Sequence, residues 1–358
     1  MTTDLNQANK RLVWNHWQKL ENVVEDGLDQ AMADVADAGL LFHGPDPISD
    51  LKGAKAFLDS YWRPLRHSFS GLKRRSHMFF GGASNGRADG LDDGHLWVGG
   101  TGLFDGVFER DWLGIPANGQ PVHIRWGECS RVVDGRIAET FVLLDLVDLL
   151  QQVGIQVLPP GRGVDGVWPP PRNDDAVLLD AVDPAESART LDLIRRFIFD
   201  SLNVYDQEDL ESMGVADYFH PRVEWYGPGG IGHCSGLKAF ENLHQRHWLH
   251  AFPDRAVQDL DNLFAEGDYT CGTGWAGVHA THKGQYLDCP ATGKRLVVNG
   301  LDYWRRRGDQ FIENWVFVDM VHLFRQFGID LLARARPGSE SGSRPGSESG
   351  ARVVSSGT

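Results

Sequence analysis

The sequence predicts an α+β protein made of two tandem domains, each with helices packed on one antiparallel-rich sheet. Three observations predict this class. The chain has 358 residues, a length that suits two domains of ordinary size. Two segments of the chain resemble each other in register, which indicates a duplication. In each segment, residues with helical periodicity come first and strand-like runs follow.

The duplication is visible at two offsets along the chain. Residues 44–57 align with residues 227–240 at an offset of 183. Further along, residues 116–155 align with residues 290–329 at an offset of 174. We expect the extra residues of the first copy in a loop at 84–90, because insertions in surface loops cost little free energy.

Composition shifts divide the chain into four parts. The two copies are predicted to form domains at 1–157 and 185–335. Residues 158–184, rich in Pro, Gly and Asp, are predicted to be a linker without regular structure. Residues 336–358 contain the sequence RPGSESG twice, and such a polar repeat predicts a disordered tail.

Charge and motif content narrow the range of partners. With 35 basic and 49 acidic residues, the net charge of −14 disfavours nucleic acid and anionic membranes. The four cysteines have neither metal-binding nor disulfide-framework spacing, and no nucleotide-binding, serine-hydrolase or zinc-protease motif occurs. No apolar run approaches the roughly 20 residues that span a bilayer. We therefore expect a cytoplasmic protein without a metal site.

The elements of the second copy can be placed in order. A short helix near Gly236 carries His244, which is either a substrate-contacting or proton-shuttling group or an ordinary half-buried histidine. Strand-like runs at 295–304 and 310–318 come later, joined by a hairpin at 306–309. The first helix is predicted from apolar residues at spacings of three and four, namely Leu191, Ile194, Phe197, Ile198 and Leu202.

The last strand places acids among aromatic residues. Period-two alternation puts Glu313, Trp315 and Asp319 on one face, and the first copy repeats the two acids as Glu139 and Asp145. Burial against aromatic side chains raises the pKa of an acid toward the range useful for proton transfer. Two structural alternatives stay open. Asp319 caps the following helix, and Glu313 pairs with an arginine of the facing strand.

The preceding strand carries another acid at a duplicated position. Asp302 matches Glu128 of the first copy, and alternation places it on one face with Trp304. An acid in such an apolar strand either lines a pocket or forms a structural ion pair. The candidate partners are Arg125 and Arg305, and the structural role is the favoured interpretation.

Seven segments of the second copy carry a family resemblance. They are Trp225–Gly232, His244–Gln245, Ala251–Arg255, Cys289–Lys294, Gly300–Trp304, Glu313–Asp319 and Leu323–Gly328. They resemble the SnoaL-like polyketide cyclases, which have the nuclear transport factor 2 and ketosteroid isomerase fold. The resemblance implies a cone-shaped domain, in which a curved sheet is closed by helices around a mostly apolar pocket. It extends more faintly over the first copy, and the fold alone does not define the reaction.

The resemblance also implies an activity. In this family an acid on the final strand acts as general acid or base in a cofactor-free aldol ring closure, and Asp319 occupies that position. With His244 as the second predicted catalytic residue, we expect cyclase, lyase or isomerase chemistry on a small hydrophobic carbonyl compound. The predicted substrate contacts are Trp225, Tyr226, His282, Asp302, Trp304, Glu313 and Trp315.

The first copy departs further from the family. Asp145 keeps the acid, but Phe42, His43 and Tyr61 replace the aromatic wall and the histidine of the second copy. We expect the two copies to pack as an intramolecular pseudo-dimer, or to form a homodimer of it. The rival functional interpretation is a protein that binds a small lipophilic ligand without turnover.

Overall fold

A computed structural model describes residues 2–336 except residues 174, 207 and 208. These residues form two units of sheet and helices, one for each copy, and the predicted α+β class is confirmed. Apart from Arg336, the predicted tail lies outside the described residues. No helix in the described part of the chain is long and apolar enough to cross a membrane.

The first copy contains five α-helices and six strands among the described residues. Its helices are α1 (Thr2–Asn22), α2 (Leu28–Ala33), α3 (Ala54–Phe57), α4 (Arg63–Ser68) and α5 (Leu146–Gln152). Its strands are β1 (Ala36–His43), β2 (Asp50–Lys52), β3 (Phe69–Ala83), β4 (Leu96–Phe108), β5 (Pro121–Val133) and β6 (Arg136–Leu144). The strand order is β2-β1-β6-β5-β4-β3. Only the β1–β6 pair of this path is parallel, because the first long strand lies beside the last.

The second copy repeats this plan. Its helices are α6 (Pro184–Arg195), α7 (Val215–Tyr218), α8 (Leu237–Ala239), α9 (Arg246–Ala251) and α10 (Met320–Phe327). Its strands are β7 (Phe219–Tyr226), β8 (His233–Ser235), β9 (Ala256–Val257), β10 (Asn262–Glu266), β11 (Tyr269–Thr281), β12 (Arg295–Arg307) and β13 (Gln310–Val318). The order is β10-β11-β12-β13-β7-β8, with β9 beside β11 and a parallel β13–β7 pair. The predicted hairpin between the last two strands is confirmed.

One glycine begins the same helix in each copy. Gly53 precedes α3 and Gly236 precedes α8, and both have a φ of 86°. This region of backbone conformation favours glycine, because a Cβ there collides with the neighbouring backbone. Each helix continues through a π-helical stretch, Leu58–Trp62 or Phe240–Gln245, into α4 or α9. The aligned glycines therefore mark the point where the chain leaves the sheet and starts the covering helix.

The two sheets pack against each other through a shared aromatic core. It includes Phe80 and Trp97 from the first copy and Tyr303 and Trp315 from the second. The Tyr303 hydroxyl reaches across and donates a hydrogen bond of 2.7 Å to the carbonyl oxygen of Gly100. One face of each sheet is thus covered by the other copy, and the opposite face is left for the helices.

The segment between the copies is packed rather than free. Apart from residue 174, residues 158–183 form no helix or strand. Trp168 is nevertheless buried, and Val164 forms an isolated β-bridge to His233, as Val177 does to Phe79. The segment therefore contacts both copies, and the domain boundaries at 157 and 185 stay a prediction.

Candidate functional site

A cavity of about 200 Å³ lies in the second copy, between its helices and the helix-facing side of its sheet. Its walls come from the π-helical extension of α6 (Arg196–Leu202), from Phe240–Gln245 with α9, and from β11, β12 and β13. Many of the lining residues are apolar, including Phe197, Ile198, Phe240, Trp248, Val298 and Val316. An ionisable group inside this cavity is therefore poorly solvated.

Strand pairing decides which residues of β13 face the cavity. Asp302 of β12 lies directly opposite Val316, and Trp304 lies opposite Asn314. Residues directly opposite each other on antiparallel strands project to the same face of the sheet. All four line the cavity. The sequence analysis expected the site on the face with Glu313, Trp315 and Asp319, and none of these three residues lines this cavity.

Asp302 is the acid that lines the cavity. It forms no hydrogen bond or ion pair with any other described residue, and burial raises its pKa to about 8. The favoured pairing with Arg125 or Arg305 is wrong, because Arg305 bonds Glu313 and Arg125 bonds Asp145 of its own copy. Asp302 is thus poised to exchange a proton near neutral pH.

His244 lies in the same cavity, where the sequence analysis placed it. Its ring stacks on that of Trp225 with centroids 4.1 Å apart. Burial, followed by the positive charges of Arg255 and His247, lowers the pKa of His244 to about 3. The imidazole is therefore neutral at physiological pH, a state in which one ring nitrogen donates and the other accepts a hydrogen bond.

Two other predicted substrate contacts lie outside the cavity. Tyr226 packs against His233 and Trp315, with centroids 4.9 and 5.2 Å away, on the side of the sheet that faces the first copy. His282 stacks on Phe327 at 4.2 Å. Both side chains pack within the fold and neither lines this cavity, so their contact with a substrate stays a prediction.

Glu313 and Trp315 also have structural partners. Glu313 is fully buried and forms an ion pair with Arg305, which is the alternative that the sequence analysis left open. Trp315 donates its Nε1–H to the carbonyl oxygen of Pro169 at 2.9 Å, and so attaches the connecting segment to the sheet. Neither side chain lines the cavity, because Glu313 and Trp315 lie on the face of β13 opposite to that of Asn314 and Val316.

Asp319 begins α10 as its N-cap. Its Oδ1 accepts a hydrogen bond from the backbone N–H of His322 at 3.0 Å, and its Oδ2 accepts one from the N–H of Asp46 in the first copy at 2.9 Å. Asp145 caps α5 in the same way and accepts a hydrogen bond from Gly229 of the second copy at 2.8 Å. Burial raises the pKa of Asp319 to about 7, but its carboxyl does not line the cavity. The structure thus supports the capping alternative.

The corresponding space in the first copy is filled by its own side chains, which leave a cavity of about 20 Å³. Glu128 accepts hydrogen bonds from Trp17 Nε1 at 2.6 Å and from Arg74 Nη2 at 3.0 Å. The Arg74 guanidinium also lies 4.2 Å from the ring centres of both Trp17 and Trp126. By strand register, Val257 takes the place of Arg74 in the second copy. The acid of the first copy is therefore paired, and only its counterpart Asp302 is open to a ligand.

Arg255 is a cavity residue to which the sequence analysis gave no role. It follows α9 directly before β9, is 7% exposed and lines the cavity. The segment Ala251–Arg255 is one of those that carry the family resemblance, but nothing in it distinguishes a buried arginine from an exposed one. Among the described residues, no group of three or more His, Cys, Asp or Glu side chains could hold a metal ion.

The chain belongs to the SnoaL-like polyketide cyclase family, whose model matches residues 16–153 and 194–327. The predicted tandem arrangement of two such domains is confirmed by these two matches. No curated protein matches the chain.

Several solved structures are similar to the chain, and each of them is about as long as one copy. AclR from Streptomyces galilaeus is 22% identical over 40% of this chain and 97% of that chain, with a TM-score of 0.32. TsrD from Streptomyces laurentii is 23% identical over 41% and 98%, with a TM-score of 0.32. A SnoaL-like polyketide cyclase from Agrobacterium tumefaciens is 19% identical over 39% and 98%, with a TM-score of 0.31.

Proposed function

We propose that the cavity of the second copy binds a small hydrophobic carbonyl compound and that Asp302 transfers a proton at the carbon next to the carbonyl. The observation that carries this proposal is the acid itself: Asp302 lies in an apolar cavity without a counter-ion or hydrogen-bond partner among the described residues. A structural carboxylate is normally paired, as Glu128 is in the first copy. The family supports cyclase, lyase or isomerase chemistry of this kind.

The raised pKa of Asp302 determines how the step proceeds. At pH 7 about one-tenth of the carboxyl groups are ionised if the pKa is about 8. The carboxylate accepts the proton from carbon, the C–H bond breaks, and its electron pair moves onto the carbonyl oxygen as an enolate. In a cyclase the enolate carbon then attacks a second carbonyl, and Asp302 returns the proton to the new alkoxide. In an isomerase the proton returns to another carbon.

The other cavity residues assist this step. Neutral His244 is suited to donate a hydrogen bond to the carbonyl oxygen on which negative charge develops. Its ring is held by stacking on Trp225, which fixes its orientation. Trp225 and Trp304 supply apolar walls that keep water away from the acid and thereby keep its pKa high.

A generic carbon acid tests the proposal without knowledge of the substrate. 5-Nitrobenzisoxazole opens its ring when a base removes one proton from carbon, and the phenolate product is coloured. We expect Asp302→Asn to lower the rate by about 10² to 10⁴, the usual contribution of one general base. The wild-type rate should rise with pH and level off above a pKa of about 8, because the base is the ionised form.

The matched control is Glu128→Gln, which removes the paired acid at the same position of the first copy and should leave the rate within about threefold. An Asp302→Asn variant as fast as the wild type contradicts the proposal. A protein that binds the probe in the cavity but does not convert it supports the rival function, ligand binding without turnover.

A further inference from the structure

Arg255 brings a positive charge into a mostly apolar cavity. Arg255 is 7% exposed, and it lines the same cavity as Asp302 and His244. It lies close enough to His244 to contribute to the lowered pKa of that imidazole. The guanidinium therefore belongs to the wall near the stacked histidine.

No described carboxylate balances this charge. Arg255 Nη2 donates to the carbonyl oxygen of Leu202 at 2.9 Å and lies 3.8 Å from the sulfur of Met213. Its Nε is buried without a partner. The face of Tyr205 lies 5.5 Å away and offers only a cation–π contact.

The nearest acid along the chain is committed elsewhere. Asp254 accepts a hydrogen bond from the backbone N–H of Thr281 at 2.8 Å and pairs with Lys283 at 3.4 Å. Asp302 also lines the cavity but forms no ion pair with Arg255. A buried cation without a counter-ion is costly, and such groups are normally paired. Burial lowers the pKa of Arg255 to about 10, so the group remains charged at neutral pH.

A second cavity lies next to the first. It has a volume of about 240 Å³ and shares Ile231, His244 and Tyr286 with the first as lining residues. Its other ionisable lining residues are Arg162, His247, His250 and one acid, Asp288. Burial lowers the pKa of His247, as it does that of His244, so neither histidine adds a positive charge at neutral pH. Arg162 and Asp288 have opposite charges, and the charge that favours an anion is therefore that of Arg255.

We propose that the ligand of the second copy is an anion, a hydrophobic carbonyl compound that carries a carboxylate, and that this carboxylate pairs with the guanidinium of Arg255. This inference rests on the proposed function of the cavity. The guanidinium of arginine donates charge-assisted hydrogen bonds to carboxylates, and the N–H groups on Nε and Nη1 of Arg255 have no partner among the described residues.

Two ligands of equal shape test the inference. Naphthalene-2-carboxylate and naphthalene-2-carboxamide differ in charge at one group, and calorimetry at pH 7 measures the affinity of the full chain for each. We expect the wild type to bind the carboxylate about tenfold or more tightly, the ratio typical of a charge-assisted hydrogen bond. Arg255→Met should remove this preference and keep the affinity for the carboxamide.

The matched control is Arg246→Met, which makes the same change of net charge at an exposed residue of α9. It should retain the preference. If Arg255→Met does not fold, Arg255→Lys replaces it. Lysine keeps the charge but lacks the guanidinium, so we expect this variant to prefer the carboxylate less than the wild type does. The affinity ratio of the wild type still shows whether the carboxylate is preferred.

The outcomes separate this inference from the proposed function. Equal affinities of the wild type for both probes overturn the inference but leave a hydrophobic ligand cavity. A preference that survives Arg255→Met also overturns it, because the charge that attracts the carboxylate then lies elsewhere. Failure of both probes to bind contradicts the cavity itself as a ligand site, and the inference falls with it.

Discussion

At the scale of single residues, the two copies use equivalent acids for two different tasks. Asp319 and Asp145 each cap a helix of their own copy and bind a backbone N–H of the other copy. Asp302 and Glu128 both point toward the helices, but Glu128 is neutralised by Arg74 and Asp302 is not. The first pair stabilises the molecule, and the difference within the second pair is the reason why we propose the second copy as the catalytic one.

The stability role of Asp319 can be measured. Asp319→Ala removes the cap of α10 and leaves the N–H of Asp46 without its acceptor, so we expect the free energy of unfolding to fall by about 2–4 kcal/mol. Asp145→Ala is the matched change in the other copy and should have a similar effect. Urea unfolding measures both.

Activity distinguishes this role from the catalytic one suggested by the family resemblance. Under conditions where Asp319→Ala remains folded, its rate of 5-nitrobenzisoxazole opening should stay within about threefold of the wild type, because Asp319 lies outside the cavity. A hundredfold loss of rate with unchanged unfolding would restore Asp319 as the catalytic acid.

At the scale of elements, alternation and turn signals predicted the β12–β13 hairpin and the fold class. They could not predict which face of β13 holds the site. Alternation shows that Glu313 and Trp315 share a face, but both faces of this strand are buried, one under the helices and the other under the first copy. A strand covered on both sides carries no pattern that marks the ligand side.

The same limit applies to the charged residues. The sequence shows two acids per copy on neighbouring strands, but whether an acid caps a helix, pairs with an arginine or stands alone depends on contacts between distant segments. Asp319 bonds Asp46 across 273 positions of sequence, and Arg255 is placed by Leu202 and Met213. Such contacts leave no local pattern, so the sequence could name the family but not the acid.

At the scale of the whole molecule, the packing of the two sheets makes each copy depend on the other. Aromatic residues of the second copy, among them Tyr303 and Trp315, are buried against the first copy and the connecting segment. This packing buries the sheet face that would otherwise be open to solvent. The cavity lies on the opposite face, under the helices.

Separation of the copies tests this dependence. A fragment of residues 185–335 exposes the aromatic sheet face, and we expect it to self-associate or aggregate, whereas the full chain should be monodisperse in light scattering. Trp315→Ser in the fragment should reduce the association, because it removes one of the exposed rings. A fragment that is monomeric and soluble without any such change contradicts the proposed dependence.

The titration of the Asp302 carboxyl tests the central claim most directly. In protein labelled with ¹³C at the aspartate carboxyl, the Asp302 signal is identified by its loss in Asp302→Asn and followed by NMR as the pH is raised. The account predicts a pKa of about 8, because the cavity withholds solvation and offers no partner. A pKa near the reference value of about 3.9 would show a solvated or paired carboxylate and would contradict proton transfer by Asp302 in the second copy.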